Sequence, residues 1–510
     1  MNNQLPPKDT HAMDDTSNLG VRILSAALVL GILGDTLLRG VPWGINFALW
    51  VLMLGAFVGA LGWRSRAFLN GGAGLLVLMA LFVPALAWRD SLSLNLLSVL
   101  GLLVIFALIV LRAQGGWLVT AYLTDYVAGG IIAGLNAVFG PFFLLLGGLP
   151  WRRIFGKTVS QRTLAISLGT LLSVPPLVVF GALLMSADAV FDSLVREILD
   201  IDFTKLLGHV FLTAFFAWIV CGYLRGVLLG KERDLVPRPS RQWLELGIIE
   251  VGVPLGLLNL LFLVFVAVQF GYFFGGAASV SLTPGLTYSE YARRGFFELV
   301  AVSALVLPLL LFAHWVLVKE DPKAERTFRW LAGFQLVMLA VMMASAFQRM
   351  RLYQREYGLT EQRLYPTAFM AWLAVVFVWF ALTALRGERQ RFAFGAMVAG
   401  FVLLGALHAM NPDALIVRVN AARLTEGRKF DVHYATRLSA DAVPELLTVL
   451  PNLPPNDRCV VAGRLLRAWS PPEAPDWRTW NYARAQAFRI VLQNAAPLRG
   501  MACPGKDAND

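Results

Sequence analysis

The stretch PGLTYSEYARRGFFELVAVSALVLPLLLFAHWVLVK, residues 284–319, opens as a polar loop and closes as an apolar run. From Phe296 to Val318 only Glu298 and His314 are ionisable, and a helix of about 20 apolar residues crosses a hydrocarbon core about 30 Å thick. Glu290, Arg294 and Glu298 are spaced i, i+4, i+8, so a helix stacks them on one face with alternating sign. Glu298 already lies inside the apolar run, where an unpaired carboxylate is expensive. The stretch therefore reads as a membrane-spanning helix entered through a polar ladder, and it sets the class of the whole chain.

Apolar segments of similar length recur on either side. They run roughly over 21–38, 44–62, 68–88, 92–111, 127–149, 163–185, 206–229, 247–273, 296–318, 328–348, 367–385 and 392–410. Composition agrees: 57% of the 510 residues are hydrophobic and 15% charged, whereas a soluble domain is about half apolar and about a quarter charged. The fold class expected is all-α, a polytopic transmembrane helical bundle of about twelve spans. Eleven to thirteen fit if the glycines at 115–116, 129–130 and 140 break the stretch 114–149 differently. Residues 1–19 are polar, without a basic signal-peptide start, and read as a disordered tail; 20–410 is the bundle, and 411–510 a small helical domain.

The formal net charge is +11. Much of it sits in short loops beside the spans: 150–162, 230–243, 319–329 and 386–391. That is the pattern of cytoplasmic loops, so the surplus implies a membrane and not a nucleic acid partner. Two spans separate each of these loops from the next, which puts 186–205, 274–295, 349–366 and everything after Met410 on the outer side. Arg64 and Arg66 also belong inside by this rule, in conflict with a simple count of twelve.

Two outer segments are unusual. Residues 187–203 alternate an apolar stripe with Asp188, Asp192, Glu197, Asp200 and Asp202, the pattern of a helix lying at the interface. Loop 349–366 carries Arg349, Arg351, Arg355 and Arg363 where basic residues are normally scarce. It is a candidate site for an anionic lipid headgroup or ligand, with a purely structural role for its arginines and tyrosines as the bland alternative. Inside the spans, Glu250, Glu298 and Arg225, with Glu290 and Arg294 at the entry, are candidates for a polar path, and Pro84, Pro254 and Pro308 should bend the helices around it.

TYSEYARRGFFELV at 287–300, RLYQREYGLTEQRLY at 351–365, NPDALIVRVNAARL at 411–424 and LSADAVPELL at 438–447 resemble the bacterial integral membrane family catalogued as domain of unknown function 4153 or 4173. The resemblance covers roughly residues 160–500. It implies a multi-spanning protein of the bacterial inner membrane with no established activity, and it supplies no catalytic residues.

After Met410 no run is long enough to span. Asn411 or Asp413 reads as the cap of one helix and Ser439 as the cap of another, and proline-rich turns at 451–455 and 471–475 separate short helices. Cys459 and Cys503 both fall in this region, so an oxidising compartment would permit a disulfide between them; the alternative is two free thiols. The chain has no phosphate-binding loop, no H-E-x-x-H and no C-x-x-C, and Asp431-Val-His433 is too small a set to hold a metal. The reading names no catalytic residue, metal or cofactor. Two functions stand: the bundle moves a small solute, ion or lipid through its polar path, or it is a sensory or assembly protein that binds a ligand or protein partner through its outer loops and C-terminal domain.

Overall fold

The computed structural model describes residues 10–63, 72–148, 203–230, 245–274, 296–317 and 322–503, with isolated positions between 166 and 195. Glu290 and Arg294, the greater part of the acidic segment 187–203 and the span expected at 163–185 lie outside the described residues.

Apolar composition and length make ten of the described helices candidate membrane spans. In chain order the long helices are α1 Thr10–Leu38, α2 Ile45–Gly62, α3 Ala73–Trp88, α4 Leu92–Ala113, α5 Leu123–Phe143, α6 Phe203–Leu228, α7 Ile248–Phe274, α8 Phe296–Val316, α9 Pro322–Tyr357, α10 Glu361–Thr383 and α11 Phe392–Met410. Helix α3 is apolar and has 16 residues; positions 68–71 of the span expected at 68–88 lie outside the described residues. Helix α1 begins at Thr10, so the latter half of the stretch expected to be a disordered tail has helical backbone.

The helices form two groups, each with its own core. Helices α1 to α6 pack around Ile23, Leu30, Val58, Ile105 and Leu224. Helices α7 to α11 pack around Leu310, Phe328, Leu339 and Phe380. Within the first group small residues bring backbones together, as is common between helices in lipid. A Cβ on Gly140 would sit 2.9 Å from the Gly222 Cα, and one on Gly222 would collide with the carbonyls of Asn136 and Ala137. Only glycine fits at that crossing of α5 and α6.

Six short helices follow: α12 Pro412–Ala422, α13 Val432–Ala435, α14 Val443–Val449, α15 Pro455–Ala468, α16 Tyr482–Gln493 and α17 Ala495–Met501. Asn411 adopts φ 53° and accepts from Ala414 N at 3.3 Å, and Ser439 Oγ accepts from Asp441 N at 3.3 Å, so both cap as the sequence suggests. Asp413 does not cap; it is buried. The C-terminal core includes Leu359 and Leu364 from the α9–α10 hairpin, so these helices are fused to one face of the bundle.

That face is defined by contacts. Ile45 N donates to Trp480 O (2.8 Å), Asn481 Nδ2 to Leu86 O (3.2 Å) and Leu359 N to Asn420 Oδ1 (2.7 Å). The α1–α2, α3–α4 and α9–α10 turns therefore share the C-terminal face. The opposite face is closed by Gln390 Nε2 to Tyr122 Oη (2.9 Å), Arg389 Nη1 to His314 O (3.1 Å) and Leu246 N to Val316 O (2.9 Å). The ends of α2 and α3 that flank Arg64 and Arg66 lie on this opposite face, along with loop 386–391. Arg64 and Arg66 themselves lie outside the described residues.

Candidate functional site

A chamber of about 1030 Å³ lies at the seam between the two helix groups. Trp50, Phe106, Tyr126, Gly130, Gly134 and Tyr223 line it from α2, α4, α5 and α6. Leu307, Pro308, Phe369, Trp372, Phe392 and Met397 line it from α8, α10 and α11. Among the described residues no lining side chain is charged, and only Trp50, Tyr126, Tyr223 and Trp372 carry a nitrogen or oxygen. Each of those donors is already taken by a backbone carbonyl: Trp50 Nε1 by Leu30 O (3.0 Å), Tyr223 Oη by Phe106 O (3.2 Å), Trp372 Nε1 by Ala396 O (3.0 Å) and Tyr126 Oη by Leu118 O. The described lining is therefore almost wholly apolar and gives an ion or a polar solute little to bind.

Over the seam, on the C-terminal face, lies a polar clamp. The α3–α4 turn, Arg89-Asp90-Ser91, is held by groups from α12 to α16. Asp441, 4% exposed, pairs with Arg89 Nη1 at 3.1 Å and accepts from Asp90 N at 2.6 Å and Ser91 N at 3.3 Å. Arg89 Nε reaches His408 O at 2.9 Å, and Arg484 pairs with Asp90 at 3.0 Å. Asn481 Nδ2 bonds the Arg89 carbonyl at 2.9 Å. The second helix group joins through Glu361, which accepts from Ser93 Oγ at 2.9 Å, and through Glu361 N, which donates to Tyr434 Oη at 2.8 Å.

Asp413, 2% exposed, accepts from Ser439 Oγ at 2.6 Å and Ser439 N at 3.2 Å, while its Oδ1 has no partner. Burial outweighs those hydrogen bonds and pushes its carboxyl up to about 6. Burial likewise raises Asp90, against the pull of Arg484. Just beneath, Ser98 Oγ and His408 Nε2 lie 2.8 Å apart. Both are buried and Ser98 also bonds Leu94 O at 2.9 Å, so the pair joins α4 to α11 inside the bundle.

The sequence candidates fall elsewhere. Glu250 and Glu298 are exposed acids in the first turns of α7 and α8, where the helix dipole favours them. Arg225 is half-buried at the α5–α6 contact, 3.5 Å from Asn136 Oδ1 and with its guanidinium 5.3 Å from the Phe143 ring centroid. Among the described residues these three do not meet, and none lines the chamber. The arginine-bearing segment 349–366 is not a loop: α9 continues to Tyr357 and α10 starts at Glu361. Arg363 caps its own hairpin, donating to Tyr357 O at 3.0 Å and Gly358 O at 2.6 Å and lying 4.1 Å above the Tyr353 ring. Arg351 and Arg355 are exposed and Arg349 half-buried on α9, so the four do not converge on one ligand position. Cys459 and Cys503 are joined, with Cα atoms 5.0 Å apart. Asp431 caps Tyr434 N at 3.0 Å and His433 Nδ1 faces Arg464 Nη2 at 3.0 Å, so that pair is structural.

The chamber itself was not legible beforehand, because its walls are ordinary apolar span residues. Gly130 and Gly134 gave the one local hint: four residues apart on α5, they leave a helix face bare.

Fold and site together define a polytopic α-helical membrane protein with an apolar chamber and a docked C-terminal helical cap. Residues 71–449 match the model of the family described as Domain of unknown function (DUF4153), and the chain belongs to that family. The match begins well before the resemblance read from the sequence motifs and ends before α15 to α17. No curated protein and no solved structure matches the chain.

Proposed function

We propose that the protein binds a membrane lipid, holding the lipid's apolar chains in the chamber between its two helix groups. The observation that carries this reading is the lining: about 1030 Å³ walled almost entirely by apolar side chains among the described residues, with each of their aromatic donors taken by backbone. Small-molecule sites typically measure about 300–1,000 Å³ and place a few free polar groups for orientation. This chamber is at the upper end of that range and shows no such group among the described residues, which suits long hydrocarbon chains and disfavours an ion or polar solute. Extraction and mass spectrometry of lipid from protein purified in mild detergent tests it. One class of lipid retained at fixed stoichiometry through exchange into a lipid-free detergent is the expected result; protein that emerges free of lipid contradicts it.

The alternative of a sensory or assembly protein draws support from one feature. The helical cap touches both helix groups, through Arg89 and Asp441 on one side and Glu361 and Tyr434 on the other. A partner that displaced the cap would free the seam. The basic loops further support a bacterial inner-membrane location with the C-terminal face extracytoplasmic; reporter fusions near residue 425 test that sidedness.

A further inference from the structure

The loop between α15 and α16 reads Ser470-Pro-Pro-Glu-Ala-Pro-Asp-Trp-Arg-Thr-Trp-Asn-Tyr482. Three of its aromatic side chains face outward: Trp477 is 62% exposed, Trp480 47% and Tyr482 49%. Large exposed indoles on an extramembrane segment usually mark a contact surface. Here the backbone around them fixes what that surface can meet.

The loop is tied to the α1–α2 turn, and that turn joins two membrane spans, Asn18–Leu38 and Ile45–Gly62. Arg478 Nη1 donates to Thr36 O at 2.7 Å, inside the last turn of α1. Trp480 O accepts from Ile45 N at 2.8 Å, the first residue of α2. Arg484 Nη2 donates to Trp43 O. A Cβ on Gly44 would lie 2.5 Å from Trp480 O and 3.0 Å from Thr479 O, so the absence of a side chain there is what lets the loop approach. Three separate bonds thus hold Trp477 and Trp480 level with the ends of two spans. Trp43 itself is 42% exposed beside them.

We infer that residues 477–482 form an interfacial foot: an aromatic patch of the C-terminal helices that rests in the headgroup layer of the bilayer beside the α1–α2 turn. Indole and phenol rings favour that depth because one edge is apolar and the other can stay hydrated. The foot is electrically balanced, since Arg478 pairs with Asp476 at 2.6 Å, Arg484 with Asp90 at 3.0 Å and Arg39 with Asp35 at 2.8 Å. Its contact with lipid should then depend on the rings and not on anionic headgroups or salt. The C-terminal cap is in this account a partly immersed module.

Fluorescence of the full chain in nanodiscs tests the inference. The spectrum of a W477F/W480F variant is subtracted from that of the unaltered protein, leaving the emission of those two indoles. The expected result is loss of this emission with lipids brominated on the upper acyl chain, little loss with aqueous iodide, and no change between zwitterionic and partly anionic discs. Quenching by iodide with no response to brominated lipid would overturn the inference, because the rings would lie in water. Silence towards both quenchers would overturn it too, since the rings would then be covered by protein. In a second variant, Gly44→Ala, the displaced loop should lose sensitivity to brominated lipid while the protein keeps its fold; unchanged quenching there contradicts the role given to the α1–α2 turn.

Discussion

Arg89 and Asp441 stand 352 positions apart in the chain and 3.1 Å apart in space, with the two side chains 11% and 2% exposed. The pair ties the α3–α4 turn of the first helix group to the C-terminal helices. Its surroundings explain why it holds. The carboxylate also collects two backbone N–H groups from Asp90 and Ser91, and the guanidinium also reaches the His408 carbonyl. A buried pair with its remaining hydrogen bonds met can offset its desolvation, whereas one partner left alone cannot.

Removing only the cation should therefore be severe. Arg89→Met is expected to lower stability by about 3–5 kcal/mol by stranding Asp441. Adding Asp441→Asn, which keeps the acceptor for the two backbone N–H groups, should restore much of it. Thermal unfolding of the four members of this cycle in detergent measures the coupling, and additive losses would show that the two side chains act independently.

Asp413 gives a pH dependence of fixed sign. Its carboxyl, near 3.9 in an unfolded chain, rises to about 6 in the fold because it is buried. The folded state then binds more protons than the unfolded state between those values. Stability from this group is fully present below about pH 4 and is lost as pH rises through about 6. Asp413→Asn retains the acceptor for Ser439 and should remove this slope, raising stability at pH 7 by something on the order of 2 kcal/mol. Unfolding of variant and unaltered protein at pH 4 and pH 7 checks it: the advantage should appear only at pH 7.

Gly358 joins α9 to α10 with φ +79°, and a Cβ there would collide with Asn420 Oδ1 and Arg423 Nη1. Those two side chains hold the hairpin through Leu359 N (2.7 Å), Leu359 O (2.8 Å), Arg355 O (2.8 Å) and Glu356 O (2.8 Å). Gly358→Ala combines a left-handed backbone with a broken contact and should cost roughly 2 kcal/mol. Gly427, also at positive φ (+74°) but with open space around its Cβ position, is the control and should lose less when changed to alanine.

The Cys459–Cys503 link closes a separation of 44 residues between α15 and the chain after α17. A loop of that size is worth about 4 kcal/mol in the chain-entropy account. Cys459→Ser with Cys503→Ser should lower the melting temperature of the C-terminal helices, and peptide mapping under non-reducing conditions should recover the linked pair from native membranes. Two free thiols there would also contradict the extracytoplasmic placement, because an oxidising compartment is what sustains the bond.

The class, most of the spans and the capped helices after Met410 were legible because each rests on local rules: apolar run length, Asn411 and Ser439 as caps, proline turns. The site was not. Glu298 in an apolar run suggests a buried partner; in the structure its side chain is exposed in the first described turn of α8, while Glu290 and Arg294 lie outside the described residues. Segment 349–366 looks like a loop because it is polar, yet α9 simply continues as helix to Tyr357. Asp441 and Arg89 are ordinary surface types with nothing local to signal that they meet. Contacts across hundreds of positions leave no periodicity to read.

The chamber is the central claim, and it can be filled without disturbing its walls. A Cβ added at Gly130 or Gly134 meets nothing within 4 Å, and both glycines line the chamber on α5. Replacing a helical glycine with a compatible residue should itself stabilise the empty protein by about 0.5–1 kcal/mol. Native mass spectrometry of G130L/G134L beside the unaltered protein, both released from the same lipid mixture, is the most direct measurement. The account predicts a retained lipid mass on the unaltered protein and its loss in the variant, which remains folded. An equal lipid load on both would contradict it.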